Sequence, residues 1–378
     1  MSAEAPSPQT VHCTLCETAS AASARFCPHC AELLPLPAGE FFAGRYTIRA
    51  LIGVRGIGRS YRVEDSAWKP GAPPASPGAT ADDRPPDAPP ANLVLTELRH
   101  NRGWTTEAQA YYREQFAREV ALLATLQDLP TVPRLVQDLT ERGEDRLFFV
   151  SEVPSGETLQ QALDKRSRPF PPDVVLDWGI RLGELLARLH SQSPPFVHAD
   201  LQPDALYVGG ASVRLADLNI IRRVRTDGLP HVIEDNGFAA PEAVAGRPEP
   251  RSDLYSLAAT MAVLLINQPP LAPSPDVDVL HRINARVPAW LSHLIAINLS
   301  EAPYDRYAHA DDVIADLRRQ QVADTVACHV CGAPNRRTEI YCQECSRPLM
   351  HSTRQCDSCD HAMPVNARFC PTCGVQVS

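Results

Sequence analysis

The stretch that decides the fold is residues 198–208, which read His-Ala-Asp-Leu-Gln-Pro-Asp-Ala-Leu-Tyr-Val. Three more segments follow it in order: Val-Arg-Leu-Ala-Asp-Leu-Asn at 213–219, Gly-Phe-Ala-Ala-Pro-Glu at 237–242 and Ser-Asp-Leu-Tyr-Ser-Leu at 252–257. From Asp173 onward helices are predicted to dominate, at 173–191, 252–267, 288–299 and 308–321. The second half of the chain is therefore expected to be mainly helical.

The first half is richer in predicted strands. Residues 45–63 predict two strands joined by a glycine-rich turn, and 93–98 and 146–151 predict two more, with a helix at 107–127. Residues 64–91 are dominated by Pro, Ala, Gly and Asp, and are expected to be a disordered insert because they cannot bury apolar surface. A small strand-rich part followed by a larger helical part predicts an α+β fold with two lobes.

The four quoted segments resemble the motifs of protein kinases of the bacterial Ser/Thr type. Residues 198–208 are similar to the catalytic loop His-Arg-Asp-Leu-Lys-Pro-x-Asn-Ile-Leu, and 213–219 to the strand that leads into Asp-Phe-Gly. Residues 237–242 look like the Ala-Pro-Glu end of the activation segment, and 252–257 like the start of the buried central helix. The resemblance covers residues 41–322 and implies a two-lobed protein-kinase-like domain.

The resemblance also implies roles for single residues. Asp200 corresponds to the catalytic aspartate, and Asp217 to the aspartate that binds the main magnesium ion. Glu119 corresponds to the glutamate on the small-lobe helix, which pairs with the phosphate-binding lysine in the family. Glu242 and Arg306 correspond to a pair that is expected to meet and be buried in the large lobe.

The glycine-rich turn corresponds to the nucleotide-binding turn of the family. Its cofactor-binding candidates are Gly53, Gly56 and Gly58, although such a turn taken alone favours a simple bend between strands, which needs no nucleotide. Arg55 stands at the middle glycine position of the motif. A side chain there hinders close approach of the backbone to a phosphate.

Other positions that hold phosphate or metal in the family are also changed. Thr96 stands where the resemblance places the phosphate-binding lysine, and the chain contains only two lysines, Lys69 and Lys165. Gln202 replaces the lysine of the catalytic loop, and Ala205 replaces the asparagine that binds the second magnesium ion. Alanine offers no ligand oxygen. Binding of ATP and magnesium is therefore doubtful.

Two classes of function follow from this pattern. In the first, the domain is a pseudokinase that keeps the fold as a platform for protein partners. In the second, it is a divergent but active Ser/Thr kinase in which Arg55 or Arg99 takes the place of the lysine. Arg99 is an odd number of residues from Thr96, so on a regular strand it faces the other way. Without a lysine partner, Glu119 is as well explained by a solvated helix position.

The cysteines form a repeat that is independent of these motifs. All twelve fall into three quartets with the spacing Cys-x2-Cys-x10-Cys-x2-Cys. This spacing is typical of a structural zinc site with four thiolate ligands and no open position for catalysis. The predicted ligands are Cys13, Cys16, Cys27 and Cys30, then Cys328, Cys331, Cys342 and Cys345, then Cys356, Cys359, Cys370 and Cys373.

The quartets resemble zinc ribbons of the double-zinc-ribbon kind. We define ribbon 1 as residues 1–40, ribbon 2 as 323–350 and ribbon 3 as 351–378. Each has too few apolar residues for a core, so the metal is expected to supply the folding energy and each ribbon to bury little against the rest. A disulfide framework is the alternative. The chain starts without an apolar signal segment, which favours a reducing cytoplasm and hence zinc.

The charge balance bears on partners. The formal net charge is −9, which opposes non-specific nucleic-acid binding because that binding needs clustered cations. Ribbon-mediated binding of nucleic acid is therefore the weakest hypothesis, and protein partners are favoured. The longest apolar run, residues 257–266, is too short to cross a bilayer and is expected to be a buried helix.

Overall fold

The structure is a computed structural model. It describes residues 10–376 apart from 22, 56, 67–92, 141–145, 153, 155, 200, 210–211, 219–232, 234, 272–275, 324, 329, 332, 337–340, 348, 350–352, 357, 360–361, 365–368 and 371. The chain forms two compact units. Unit 1 comprises Met1–Glu157 and Tyr207–His231, and unit 2 comprises Thr158–Leu206 and Val232–Ser378.

Unit 1 begins with ribbon 1 and continues into a six-stranded antiparallel sheet. Ribbon 1 contributes the hairpin of β1 (Thr10–His12) and β2 (Ala19–Ala21), and a 20-residue helix α1 (Thr106–Thr125) follows the third long strand of the sheet. The sheet has the order β3-β4-β5-β6-β8-β7. Its strands are β3 (Phe41–Phe42), β4 (Tyr46–Arg55), β5 (Gly58–Asp65), β6 (Leu93–Leu98), β7 (Arg134–Asp138) and β8 (Phe148–Glu152).

The two faces of this sheet are covered by different parts of unit 1. One face carries a buried apolar cluster in which Leu36 packs with Tyr61 and Leu95. The other face meets α1, where the rings of Phe116 and Phe149 lie 5.5 Å apart. Alternating burial along β6 follows from this arrangement, since successive side chains of a strand point to opposite faces.

Most predicted strands and the first helix are confirmed, with two differences. The predicted insert begins too early, because β5 continues to Asp65, whose carboxylate accepts hydrogen bonds of 3.0 and 2.7 Å from Arg45. The rest of the insert, residues 67–91, lies outside the described residues. Strands β3 and β7 were also not predicted; β7 contains only two strongly apolar residues, Leu135 and Val136.

Unit 2 is mainly helical, as predicted. After β9 (Glu157–Thr158), its helices are α2 (Leu159–Arg166), α3 (Pro172–His190), α4 (Pro241–Val244), α5 (Pro250–Ile266), α6 (Val279–Ile283), α7 (Ala289–Asn298) and α8 (Ala310–Arg319). Between α3 and α4 the chain forms a 3-10 turn (Pro203–Ala205) and then enters unit 1, where it forms the strands β10 (Leu206–Gly209) and β11 (Ser212–Leu215). The short helices α2, α4 and α6 were not predicted.

Helix α5 is the centre of unit 2. Every residue from Arg251 to Ile266 is buried, which confirms the predicted buried central helix. Glycines in α3 allow close packing: a Cβ on Gly179 would lie 2.7 Å from Cε of Met261 in α5, and one on Gly183 would lie 2.9 Å from Ile314 in α8. The helices can approach closely only because these two side chains are absent.

Ribbons 2 and 3 repeat the backbone of ribbon 1. Their hairpins pair β12 (Thr325–Ala327) with β13 (Pro334–Arg336), and β14 (Thr353–Gln355) with β15 (Ala362–Pro364). In all three ribbons the first strand ends immediately before the first cysteine, and the residue after the fourth cysteine has positive φ: 60° at Ala31, 55° at Ser346 and 73° at Gly374. Among the described residues, none of the helices is long and apolar enough to span a membrane.

Candidate functional site

Each cysteine quartet comes together in space as one cluster. Within each quartet the four Sγ atoms all lie within 4.8 Å of one another, and the shortest separations are 3.4–3.6 Å. A disulfide would require about 2.05 Å, so the disulfide framework is ruled out for these cysteines. Four sulfurs at about 2.3 Å from one ion stand about 3.8 Å apart in a tetrahedron. The clusters therefore have the donor atoms and nearly the spacing of a zinc–tetrathiolate site.

The electrostatics of the first cluster also fit a cation. Hydrogen bonds with Thr18 lower the pKa of the Cys16 thiol to about 5, whereas burial raises the pKa of the Cys30 thiol to about 12. Neighbouring thiols in contact cannot all ionise unless a cation balances their charge. A divalent ion with thiolate ligands removes this conflict.

Ribbon 1 is joined to the sheet of unit 1 by backbone pairing, in contrast to the expected independence of each ribbon. The segment after its fourth cysteine runs antiparallel to the segment after β6, with Glu32 opposite Asn101. The Leu33 amide donates to the His100 carbonyl at 2.7 Å, and the Arg102 amide donates to the Ala31 carbonyl at 3.2 Å. The expectation failed because the cysteine spacing says nothing about the outer edge of the ribbon.

A buried cluster of charged side chains lies at the same junction. Glu32, Arg59 and Glu97 have no exposed side-chain surface, and Arg99 is 8% exposed. Glu32 accepts a 2.8 Å hydrogen bond from Nε of Arg99 and lies 3.4 Å from Arg59. Glu97 accepts from Arg59 at 3.2 Å and from Arg146 at 2.6 Å. We call Glu32, Arg59, Glu97, Arg99 and Arg146 the junction cluster.

Neutral groups add further hydrogen bonds to the junction cluster. The hydroxyl of Tyr61 donates to Glu97 at 2.6 Å, and burial is the main reason that the pKa of Tyr61 is raised. Arg59 donates to the Leu33 carbonyl at 2.7 Å. Burial lowers the pKa of Arg59, but its neighbours Tyr61 and Glu97 outweigh that effect and raise it overall. Arg59 is therefore held as a cation inside the junction.

The junction cluster determines what can replace the missing lysine. Thr96 is half-buried and pairs with Ser60 and Phe149, so its side chain lies on the sheet face opposite to Glu97. Arg99, one of the two candidate substitutes, is bound to Glu32 in the junction. Its guanidinium is thus already committed to another carboxylate. The side chain of Arg55, the other candidate, lies outside the described residues.

Other predicted nucleotide-site residues of unit 1 are placed as follows. Glu119 is 4% exposed, so the reading of it as a solvated helix glutamate is wrong; it faces the interior because it shares a helix face with Phe116. Asp217 is half-buried. Gly53 lies on β4, where an added Cβ would meet nothing within 4 Å. Gly58 is buried at the start of β5, and Gly56 lies outside the described residues.

The loop that resembles the catalytic loop is anchored to α5. Asp253 accepts hydrogen bonds from the amides of His198 at 2.9 Å and Ala199 at 2.6 Å. Ala199 adopts φ of +55°, which a non-glycine residue rarely does. The hydrogen bonds from the backbone amides of His198 and Ala199 to Asp253 hold Ala199 in this conformation. Asp200, which follows directly, lies outside the described residues.

The structure also describes Gln202 and Ala205, the two residues of this loop that differ from the kinase motif. Gln202 is half-buried and accepts a 3.1 Å hydrogen bond from the side-chain amide of Asn236. Ala205 is half-buried and ends the 3-10 turn, with its amide donating to the Gln202 carbonyl at 3.0 Å. The loop therefore presents an amide and a methyl group where the resemblance implies a lysine and an asparagine.

The ion pair in unit 2 is confirmed. Arg306 donates to the two carboxylate oxygens of Glu242 at 2.7 and 3.0 Å, and its side chain is fully buried. It also donates to three backbone carbonyls, of Arg251, Ser300 and Glu301. This pair fastens the α4 segment to α5 and to the chain before α8.

The junction cluster itself was missed by sequence reasoning. One signal was available: Glu97 stands on β6 at the same face as Leu93 and Leu95, where an apolar residue is expected. A charged residue on a buried strand face requires a partner. The partners of Glu97 are Arg59, Tyr61 and Arg146, and no local pattern connects residue 146 to β6.

Comparisons with known proteins agree with this geometry. The model of the protein kinase domain family matches residues 101–336, and that of the double zinc ribbon matches residues 328–374. Similar curated proteins include the serine/threonine-protein kinase PknG of Mycolicibacterium smegmatis, 26% identical over 251 residues, which are 65% of this chain and 29% of that protein. Human serine/threonine-protein kinase WNK4 is 28% identical over 174 residues, 45% of this chain and 14% of that protein.

Solved structures show the same fold. The kinase domain of Mycobacterium tuberculosis PknI has a TM-score of 0.50 at 22% identity, covering 76% of this chain and all of that one. The apo form of PpkA-294 has a TM-score of 0.52 at 19% identity, covering 75% of this chain and 99% of that one. The chain spans about three tenths of the length of PknG. Because the kinase model matches more than half of the chain, this protein belongs to the protein kinase domain family and carries a double zinc ribbon.

Proposed function

We propose that this protein is a pseudokinase: a kinase-fold platform that does not transfer phosphate and that docks protein partners through its surfaces and zinc ribbons. The single observation that carries the proposal is that three arginines near Thr96 are paired with buried carboxylates. The position of the lysine holds a threonine, and the nearby arginines Arg59, Arg99 and Arg146 are bound to Glu32 and Glu97. Phosphoryl transfer depends on charges placed around the phosphates, and those charges are used elsewhere.

The metal side of the reaction supports the same proposal. Asp217 would supply one magnesium ligand, but Ala205 supplies none in the loop where the resemblance implies an asparagine. Gln202 cannot add the positive charge of the missing loop lysine. Each preorganised electrostatic group of this kind is worth about 3 kcal/mol of transition-state stabilisation, or roughly a hundredfold in rate. The losses do not simply add, but each of them lowers the rate of phosphoryl transfer.

The parts that hold the fold together are intact by comparison. Asp253 anchors the loop before Asp200, and Glu242 pairs with Arg306 in unit 2. A chain that keeps these contacts but lacks the phosphate-binding groups can still present a stable surface to protein partners.

A divergent active kinase is the second candidate, because the similar curated proteins are named serine/threonine-protein kinases. That function requires a cation at the phosphates. Of the two candidates for this role, Arg99 is held by Glu32, which leaves Arg55. Asp200 and Asp217 would then act as catalytic base and magnesium ligand.

We further propose three structural zinc ions, one in each cysteine quartet. The twelve cysteines would hold them, and the ions would supply folding energy to modules whose apolar clusters contain only a few residues each. All ligand positions are taken by protein, so the ions have no open site for catalysis.

The proposed function is tested by nucleotide binding to the purified protein with and without magnesium. Isothermal titration calorimetry should show no saturable ATP binding up to about 1 mM ATP. A dissociation constant of about 1 mM corresponds to a binding free energy of about −4 kcal/mol. The variant Thr96→Lys with Ala205→Asn should gain magnesium-dependent affinity, because the new lysine reaches the face of β6 that meets α1. Tight magnesium-dependent binding of ATP by the parent would contradict the proposal.

A further inference from the structure

Ribbons 1 and 3 have the same fold but differ in what covers one edge. Phe26 and Phe369 precede the third cysteine of their ribbons and form equivalent antiparallel bridges, to Leu33 and Gln376 respectively. In both, the amide of the third cysteine donates at 2.8 Å to the carbonyl five residues later. The side chain of Phe369 is nevertheless 58% exposed, whereas the ring of Phe26 is packed against other side chains.

Ribbon 1 shows what this edge binds. The extended segment His100–Arg102 lies along it as an added strand, held by the two backbone hydrogen bonds of Ala31 and Leu33. The guanidinium of Arg102 stacks 3.9 Å from the centre of the Phe26 ring, and the ring of His100 meets the same ring edge-on at 5.8 Å. The Asn101 side chain adds a 3.0 Å hydrogen bond to the Cys30 carbonyl.

The corresponding edge of ribbon 3 is exposed. Val375 replaces the fully buried Glu32 and is 43% exposed, and Gly374 and Gln376 are also exposed. No described residue pairs with the outer side of this segment, which offers the Gln376 amide and the Gly374 carbonyl in the positions used by Leu33 and Ala31. Such an edge is a template for strand addition, with an aromatic ring beside it for a cation.

We propose that ribbon 3 binds an extended, arginine-bearing segment of a partner protein as an added strand along Gly374–Gln376, with the arginine stacked on Phe369. The inference rests on the proposed docking role of the ribbons and names the chemistry of the partner. The residue before the arginine in the partner is apolar or β-branched, because it faces Val375 rather than a glutamate. Backbone pairing supplies the affinity, and the ring and Val375 supply the specificity.

Ribbon 2 does not fit the same partner. Its aromatic residue, Tyr341, is 46% exposed, but Arg347 occupies the position of Glu32 and Val375 and is exposed. A cation at this place repels an arginine on the incoming strand. Ribbon 2 therefore serves as an internal control.

The test uses the full-length, zinc-loaded protein and a fluorescein-labelled peptide with the sequence of residues 96–105, in which Asn101 is replaced by Val (N101V). Anisotropy titration should give a dissociation constant on the order of 100 µM, as expected for a contact far smaller than a standard interface. Phe369→Ala should weaken binding about fivefold, the scale of an exposed cation–π contact. Replacing the peptide's Arg102 with Ala should have the same effect.

Two matched variants distinguish the loss of the aromatic contact from a general loss of ribbon structure. Phe369→Tyr keeps the ring and should bind as the parent does, and Tyr341→Ala in ribbon 2 should change the affinity by less than about twofold. Elemental analysis of each variant must give the same zinc content as the parent. No binding by the zinc-loaded parent up to about 1 mM, or equal binding by the Phe369→Ala protein, would overturn the assignment. Either result leaves the pseudokinase proposal standing, since nucleotide binding tests that separately.

Discussion

Replacing Glu32 with glutamine is expected to loosen the sheet of unit 1, although residue 32 belongs to the zinc ribbon. The Glu32 side chain is fully buried and contacts Arg99 at 2.8 Å, Asn101 at 3.2 Å and Arg59 at 3.4 Å. Glutamine keeps the shape and loses the charge, which leaves Arg99 buried without its carboxylate. Breaking a buried ion pair in this way costs about 3–5 kcal/mol, and the isosteric change places the cost near the lower end.

Hydrogen exchange measures this effect at the strands concerned. A loss of about 3 kcal/mol raises the population of the open state about 150-fold, so amides of β5 and β6 should exchange faster by about that factor. Glu17→Gln is the matched control, because Glu17 lies in the same ribbon and is exposed. If the Glu32→Gln protein exchanged at the parental rate in β5 and β6, the junction cluster would not couple the ribbon to the sheet.

Three further predictions follow from the same contacts. Arg306→Ala should lower the free energy of unfolding of unit 2 by about 3–5 kcal/mol in urea titrations, because it leaves Glu242 without its cation; an unchanged midpoint would contradict this. Cys370→Ser should remove one zinc ion by elemental analysis without changing the melting of the kinase domain, whereas Cys27→Ser should also destabilise unit 1, since ribbon 1 is joined to the sheet by backbone pairing. Deleting about twenty residues within 67–91 should leave soluble expression and melting unchanged, because a short turn can join two antiparallel strands; loss of expression would reveal a structural role.

Much of the fold could be predicted because its signals are local. The apolar run of α5, the alternation in β6 and the cysteine spacing each lie within a short window of sequence, and the ordered motifs connect those windows. The Glu242–Arg306 contact spans 64 residues and was predicted only through the resemblance. Where a pattern is weak, as in β7 or α6, tertiary packing decides the structure and the sequence signal is lost.

The junction at ribbon 1 shows why the rest could not be predicted. Glu32, Arg59, Glu97 and Arg146 come from four separate segments, and each alone is an ordinary charged residue. Only the folded sheet brings these four residues together. There they are buried or half-buried, and they form ion pairs with one another instead of being solvated. Burial against Glu32 also explains why Arg99 is a poor substitute for the lysine. From the sequence, this could be argued only from the alternation of side chains along a strand.

The most direct test of the pseudokinase proposal is phosphoryl transfer from γ-labelled ATP with magnesium, to the protein itself and to generic Ser/Thr substrates. The proposal predicts that the parent protein incorporates no more label than its Asp200→Asn variant. Transfer by the parent that is abolished in the Asp200→Asn variant would contradict it and establish the divergent kinase instead.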